Sequence, residues 1–232
     1  MFEQRAVLGR AALRVYYDRY GEKQDSQGFY EDPAIDALIA HADFEHARQV
    51  YEFGCGTGKL AQRLLDSHLS DTARYLGCDL SPVMTRLAER RIEAHAPRAR
   101  IVRTAGDVRF PFDDGAIDRV VSCYVLDLMC EEDIRRYFAE AHRVLEPGGF
   151  ACVASLGRGV GRLSRLVSWL WSRVFAVAPS LVGGCRPIEL DAYVDPAHWR
   201  VVYRNTVTPF GVPSEVRILE RIGTFRNDGR RE

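Results

Sequence analysis

The stretch Val50–Leu65, VYEFGCGTGKLAQRLL, decides the fold. A short apolar run passes through Glu52 and Phe53, glycines follow at 54, 56 and 58, and Leu60, Leu64 and Leu65 then recur at helical spacing. That order reads as strand, bare-backbone turn and amphipathic helix. In open α/β sheets ligands lie beyond the carboxyl ends of the strands, and a helix opening after such a turn presents free N–H groups. Missing side chains let a ligand rest against the main chain. The dinucleotide fingerprint G-x-G-x-x-G needs a glycine where this chain has Lys59. Glu52 is a second obstacle to a pyrophosphate, because a carboxylate beside the turn repels phosphate and can hold an ammonium group.

Outward from the turn, segments of two periods alternate. ARYLGCDL reads as a second strand, and Ser81-Pro82 supplies an N-cap and a first-turn proline for the helix VMTRLAERRIEAHA. ARIVRTAGD and AIDRVVSCYVL read as a third and a fourth strand. The helix EEDIRRYFAEAHRVL is stopped by EPGG, and FACVASL is a fifth strand. This alternation predicts an α/β fold with a parallel sheet and helices on both faces. Two further strands, WRVVYRNTVTPF and SEVRILER, have only GVP between them, which forces them antiparallel. Within the fourth strand Asp118 is expected to be satisfied by backbone, and His142 on the helix before EPGG to be structural.

Composition bounds the function. Apolar residues at 47% can fill a core and charged residues at 28% can cover it. Basic and acidic side chains balance at 32 each, so no global field recruits nucleic acid. Six cysteines without a C-x-x-C pair read as reduced thiols in a cytoplasmic protein. No metal-ligand pattern stands out, and no uncharged apolar run of about 20 residues could span a membrane. With no repeat and no linker, the 232 residues read as one domain: a cap over 1–45, a cofactor-binding core over 46–156, and a helical insertion with the C-terminal hairpin over 157–232.

Three acids close three strands. Besides Glu52 at the first, Asp79 ends the second, placed to accept both hydroxyls of a ribose, and Asp107 follows the third, placed to accept from an exocyclic amine. An amino acid joined to adenosine without phosphates satisfies all three, and S-adenosyl-L-methionine is such a molecule. Through VYEFGCGTG, YLGCDLSPVM, AGDVRFPF, FDDGAIDRVVSCYVLDLM and AHRVLEPGGF, the chain resembles the class I S-adenosylmethionine-dependent methyltransferases over about 46–156. The resemblance implies a Rossmann-like, seven-stranded, mostly parallel sheet with an antiparallel C-terminal hairpin. It implies that Gly54, Cys55, Gly56 and Gly58 bare backbone to the methionine portion with Glu52 beneath, and that Asp79 holds the ribose. Leu80 and Met84 flank adenine, Gly106, Asp107 and Val108 read its edge, and Cys123 and Tyr124 lie near the sulfonium. Many relatives carry histidine at the position of Asp127, so that histidine's acid–base role does not transfer. Asp127 and Tyr124 stand as catalytic candidates.

The resemblance is silent on the acceptor, expected to be a small molecule attacking through O, N, S or C. Relatives use the N-terminal segment as a lid with a Tyr-Asp pair near the cofactor, which Tyr17-Asp18 matches, and Tyr20 is a second candidate contact. Asp32-Pro33 reads as the start of a short helix. The return segment GGCRPIELDAY offers Arg186 and Glu189 as substrate contacts. Between them, Arg162, Arg165, Trp169 and Arg173 share one helical stripe and Leu163, Leu166, Val167, Leu170 and Val174 the adjacent face. The plain expectation packs that apolar face on the sheet with a solvated basic side. The alternative is contact with an anionic membrane surface or a lipid-like acceptor. A nicotinamide oxidoreductase is disfavoured by Lys59 and Glu52, and a catalytically silent binder of the cofactor stays open.

Overall fold

The computed structural model describes residues 7–223. In chain order the helices and strands are α1 (Arg10–Tyr20), α2 (Gly28–His41), β1 (Gln49–Phe53), α3 (Lys59–Ser67), β2 (Arg74–Asp79), α4 (Pro82–Arg91) and β3 (Ala99–Arg103). There follow β4 (Ile117–Cys123), α5 (Glu131–Val144), β5 (Leu145–Leu156), α6 (Arg162–Val177), β6 (Trp199–Val207) and β7 (Ser214–Arg221). The seven strands form one sheet in the order β3-β2-β1-β4-β5-β7-β6. All neighbours are parallel except those involving β7, which runs antiparallel to both β5 and β6.

Strand alternation divides the core. Val50, Val121, Cys152 and Ile218 point to the face covered by α2, α3 and α4, through Leu38, Leu60, Leu64 and Ala88. Their chain neighbours Tyr51, Val120, Ala151 and Leu219 point to the opposite face, where α5 packs Ile134, Tyr137, Phe138 and Ala141. A period of two in strands buried on both faces leaves no room for charge unless it is satisfied. Asp118 meets that condition, accepting from the Arg48 and Gln49 backbone N–H groups at 2.8 and 3.2 Å. His142 is buried on α5 and bonds through Nε2 to the Ile222 carbonyl at 2.9 Å, a structural role.

Ser81 caps α4 as its sequence predicts, its hydroxyl accepting from Val83 and Met84 N–H ahead of Pro82 at the first turn. Two expectations are corrected. The second helix begins at Gly28, not at Asp32, and Pro33 lies inside it. Asp32 is drawn away from capping by Lys59, whose ammonium bonds both carboxylate oxygens at 2.7 and 2.8 Å. The apolar face of α6 does not pack on the sheet. Only Ser164, Ser168 and Phe175 of α6 are buried, and of the five apolar residues expected to pack, Val167 alone joins a small cluster with Tyr30, Leu156 and Val212. α6 rests instead on the turns at Pro179–Val182 and Pro209–Gly211.

Candidate active site

The reversal of strand order lies between β1 and β4, and a cavity of about 310 Å³ opens over the carboxyl ends of the strands there. Its floor is the glycine turn. Gly54 and Gly56 both line it at positive φ, and a Cβ built on Gly56 meets nothing within 4 Å, so that position opens directly into the cavity. At Gly54 a Cβ would come within 2.3 Å of Val125 Cγ2, so close packing of β1 against the loop after β4 requires glycine. Gly58 is different. It does not line the cavity, and its missing Cβ makes room for Ala88, whose Cα would lie 2.8 Å away. Its role is to let α3 approach α4, which corrects the expectation that all three glycines face a ligand. Cys55 turns its side chain inward, buried, and burial raises its thiol well above the ordinary range.

Asp79 closes β2 at the cavity wall. Its Oδ2 accepts from Gly56 N–H at 3.0 Å and its Oδ1 from Ser81 N–H at 2.8 Å, so the carboxylate is fixed while lone pairs remain for a ligand's hydroxyls. Burial raises its pKa despite those donors. Glu52 sits beneath the turn, 2% exposed, and accepts a short hydrogen bond from the Tyr75 hydroxyl. Burial pushes its carboxyl up to about 7 even against that bond, a condition that a cation in the cavity would reverse. Leu80, Met84, Thr104 and Gly106 form a largely apolar slot beside Asp79, and Cys123, Tyr124 and Val125 close the side above β4.

The N-terminal segment roofs this floor and is pinned to it by charge. Asp25 accepts from Thr57 Oγ1 and from the Arg91 guanidinium, both at 2.6 Å, and Asp18 accepts from Ser81 Oγ at 2.6 Å. Leu8, Leu13, Tyr17, Gln24, Glu31 and Ile35 thereby line the cavity from above. Tyr17 is among the residues lining the cavity. Tyr20 is not; its ring stacks on Tyr16 outside the lining.

A family model described as a methyltransferase domain matches residues 50–149. Over those residues the chain carries a class I S-adenosylmethionine-dependent methyltransferase domain. The 2-phytyl-1,4-naphtoquinone methyltransferase of Nostoc punctiforme is 31% identical over 144 residues, covering 62% of this chain and 60% of that protein. The tRNA N(3)-methylcytidine methyltransferase Mettl2 of Drosophila melanogaster is 25% identical over 133 residues, covering 56% of this chain and 41% of Mettl2. The chain thus spans about half the length of those two relatives, and their names show acceptors of different classes. In fold it is similar to a chain of the complex between the Haloferax volcanii Trm112 methyltransferase activator and a methyltransferase, with a TM-score of 0.69, 16% identity and coverage of 91% and 98% of the two chains.

The residues present fit the family's cofactor: an open glycine at 56, a fixed carboxylate at Asp79, a buried acid at Glu52 and an apolar slot share one cavity. Other predicted contacts lie elsewhere. Gly106 lines the slot, but Asp107 is exposed beside it and Val108 packs toward the core with Phe110, both outside the lining. Tyr124 lines the cavity at a φ of 58°, yet its hydroxyl donates to Ser214 Oγ at 2.9 Å and burial raises its pKa, so it is a poor base. Asp127 is fully buried behind the wall, its Oδ2 near Leu156 N–H at 3.4 Å and its Oδ1 without a hydrogen-bond partner among the described residues. Burial pushes its carboxyl up to about 7.

Arg186 and Glu189 are not at the cavity. The Arg186 guanidinium donates to the Met129 carbonyl at 2.7 Å, latching the return segment down, and Glu189 pairs with Arg158 at 2.9 Å on the surface. Sequence reasoning missed Glu31, a half-buried acid on α2 that faces the cavity. It accepts weakly from the Tyr30 hydroxyl at 3.3 Å and Gln24 Nε2 at 3.4 Å, and burial pushes it up to about 8. Its only signal in the sequence was its position one turn before Ile35 on the roof helix.

Proposed function

We propose that this chain catalyses methyl transfer from S-adenosyl-L-methionine to a small, mostly apolar acceptor. The observation that carries this reading is the convergence of Gly56, Asp79 and Glu52 on one cavity whose opposite wall is apolar, through Leu8, Leu13, Ile35, Leu128 and Met129. Asp79 is the group to accept the ribose hydroxyls, Glu52 the acid beneath the ammonium end, and Leu80 and Met84 the flanks of adenine. When bound, S-adenosylmethionine supplies a methyl carbon that its sulfonium has already activated for displacement. The protein's share is to hold donor and nucleophile in line and to exclude water, both of which the pinned roof favours.

For an acceptor that loses a proton, Glu31 is the group to take it. Among the lining acids on the roof and rim, Asp25 is bonded to Arg91 and Asp133 to Arg10, whereas no cation pairs with Glu31 among the described residues. With its carboxyl pushed up to about 8, the ionised form of Glu31 that can accept a proton is the minority near neutral pH and grows as pH rises through about 8, once its own proton has left to solvent. The quinone-directed relative from Nostoc supports an apolar, oxygen-bearing acceptor. The test is calorimetric titration with S-adenosylmethionine and NAD, followed by release of the demethylated product across phenolic, quinol and carboxylic acceptors. Micromolar donor binding with acceptor-dependent release is expected. Equal binding of NAD would refute the donor assignment, and tight donor binding with no release across the panel would leave a binding protein.

A further inference from the structure

Amphipathic helices normally bury their apolar stripe, and α6 does not. Leu163, Trp169 and Val177 are 63%, 53% and 86% exposed, and Leu166, Leu170 and Val174 lie exposed between them. The surface continues beyond the helix. A Cβ added to Gly211 would meet Leu163 at 3.1 Å, so the β6–β7 turn abuts α6, and its Phe210 stands 79% exposed in edge contact with the exposed Phe29 of α2. Leu181, 76% exposed, extends the patch at the other end. Contiguous apolar surface of this kind on a folded chain marks a contact site.

Charge selects what it contacts. Between Glu146 and Glu189 the sequence has no acid but five arginines. Arg158 is neutralised by Glu189. Arg162, Arg165 and Arg173 are exposed and have no carboxylate partner among the described residues, and Arg173 lies over the Trp169 ring at 5.3 Å. A second copy apposed face to face would set these arginines against their own equivalents with no acid between them. A bilayer with anionic headgroups meets both halves of the pattern: leucines and tryptophan enter the headgroup–acyl boundary while the arginines hold phosphates. No helix among the described residues is long and apolar enough to cross a membrane, so α6 would lie in the surface. We propose that the exposed face of α6, with Phe210 and Phe29, seats this chain on an anionic lipid surface.

The seat adjoins the cavity. From α6 the chain turns through Pro179–Val182 to Gly183 and Gly184, which touch Tyr16 and the Leu8 and Leu13 side chains that line the roof. An acceptor dissolved in lipid would then reach the cavity rim without crossing bulk water. Docking itself needs only the surface of α6, so it stands apart from the methyl-transfer reading.

The experiment is flotation of the full chain with vesicles of phosphatidylcholine alone and of phosphatidylcholine mixed with phosphatidylglycerol, with Trp169 emission as a second readout. Three arginines at an anionic surface give a preference on the order of a hundredfold for the mixed vesicles, lost at high salt. A blue shift of emission on binding, absent in Trp169→Phe, should accompany it. Replacing Arg162, Arg165 and Arg173 together by glutamate, all exposed positions whose change circular dichroism can verify as fold-neutral, should abolish the preference while donor binding stays unchanged. No binding to mixed vesicles, equal binding to both kinds, or a concentration-dependent dimer that buries Trp169 in place of vesicle binding would overturn the proposal.

Discussion

Gly56 and Gly58 share a positive φ, of 52° and 79°, but only one faces the cavity, so Gly→Ala at the two positions should separate stability from binding. Both alanines incur the left-handed backbone cost of roughly 1–2 kcal/mol. At Gly56 nothing lies within 4 Å of the new methyl, so that cost is the whole effect on folding. At Gly58 the methyl would lie 2.8 Å from the Ala88 Cα and 2.9 Å from its Cβ, neither of which can swing aside. Overpacking of this kind adds about 1–3 kcal/mol, for a total of roughly 2–5 kcal/mol. At about 2–4 °C per kcal/mol for a chain of this size, Gly58→Ala should lower Tm by on the order of 10 °C and Gly56→Ala by about half that or less. Donor affinity should rank the other way. The Gly56→Ala methyl projects into the cavity and should weaken S-adenosylmethionine by at least about tenfold, roughly 1.4 kcal/mol. Gly58→Ala, once folded, should bind within about threefold of wild type. Differential scanning fluorimetry and calorimetric titration on the two purified variants decide it. If Gly58→Ala loses affinity while keeping wild-type Tm, the assignment of Gly58 to helix packing is wrong.

Asp79→Ala should weaken donor binding ten- to a hundredfold, about 1.4–2.8 kcal/mol, because water recovers part of what the fixed carboxylate accepts; unchanged affinity by titration would move the ribose site elsewhere. Glu31→Gln should reduce turnover of a proton-bearing acceptor by about 10²–10⁴ without changing donor affinity, and should flatten a rate profile that otherwise rises with pH through about 8. A retained pH limb in that variant would exclude Glu31 as the base. Glu52 has its folded pKa raised from 4.5 to about 7, so the folded chain binds more protons and stability falls as pH rises across that window. The loss attributable to Glu52 is on the order of 3 kcal/mol, and urea midpoints of Glu52→Gln measured at pH 5 and 7.5 should show a correspondingly smaller drop than wild type. Equal drops would show that Glu52 is ionised throughout.

The sequence by itself determined the sheet. Val50–Phe53, Arg74–Asp79 and the hairpin strands announce themselves through local period and turn chemistry, which depend only on neighbours along the chain. Asp79 and Gly56 were legible for the same reason, since a strand end followed by a glycine turn fixes where backbone and acid must point. Glu31 was not, because nothing in GFYEDPAI says which residue of a roof helix faces down until Asp25 and Asp18 have bonded to Thr57 and Ser81. Asp127, Arg186 and Glu189 looked like site residues by their place in the chain. Their burial, latch and surface pairing are decided by the packing of the return segment against the end of β5. Gly54, Gly56 and Gly58 are identical letters in a regular rhythm, and only the proximity of Val125 and Ala88 gives the outer two their separate tasks. The same limit holds for α6, whose period shows an apolar face but not whether anything covers it. Coverage is a non-local property: α6 packs on the turns at Pro179–Val182 and Pro209–Gly211, which come from later in the chain, and its apolar face stays exposed.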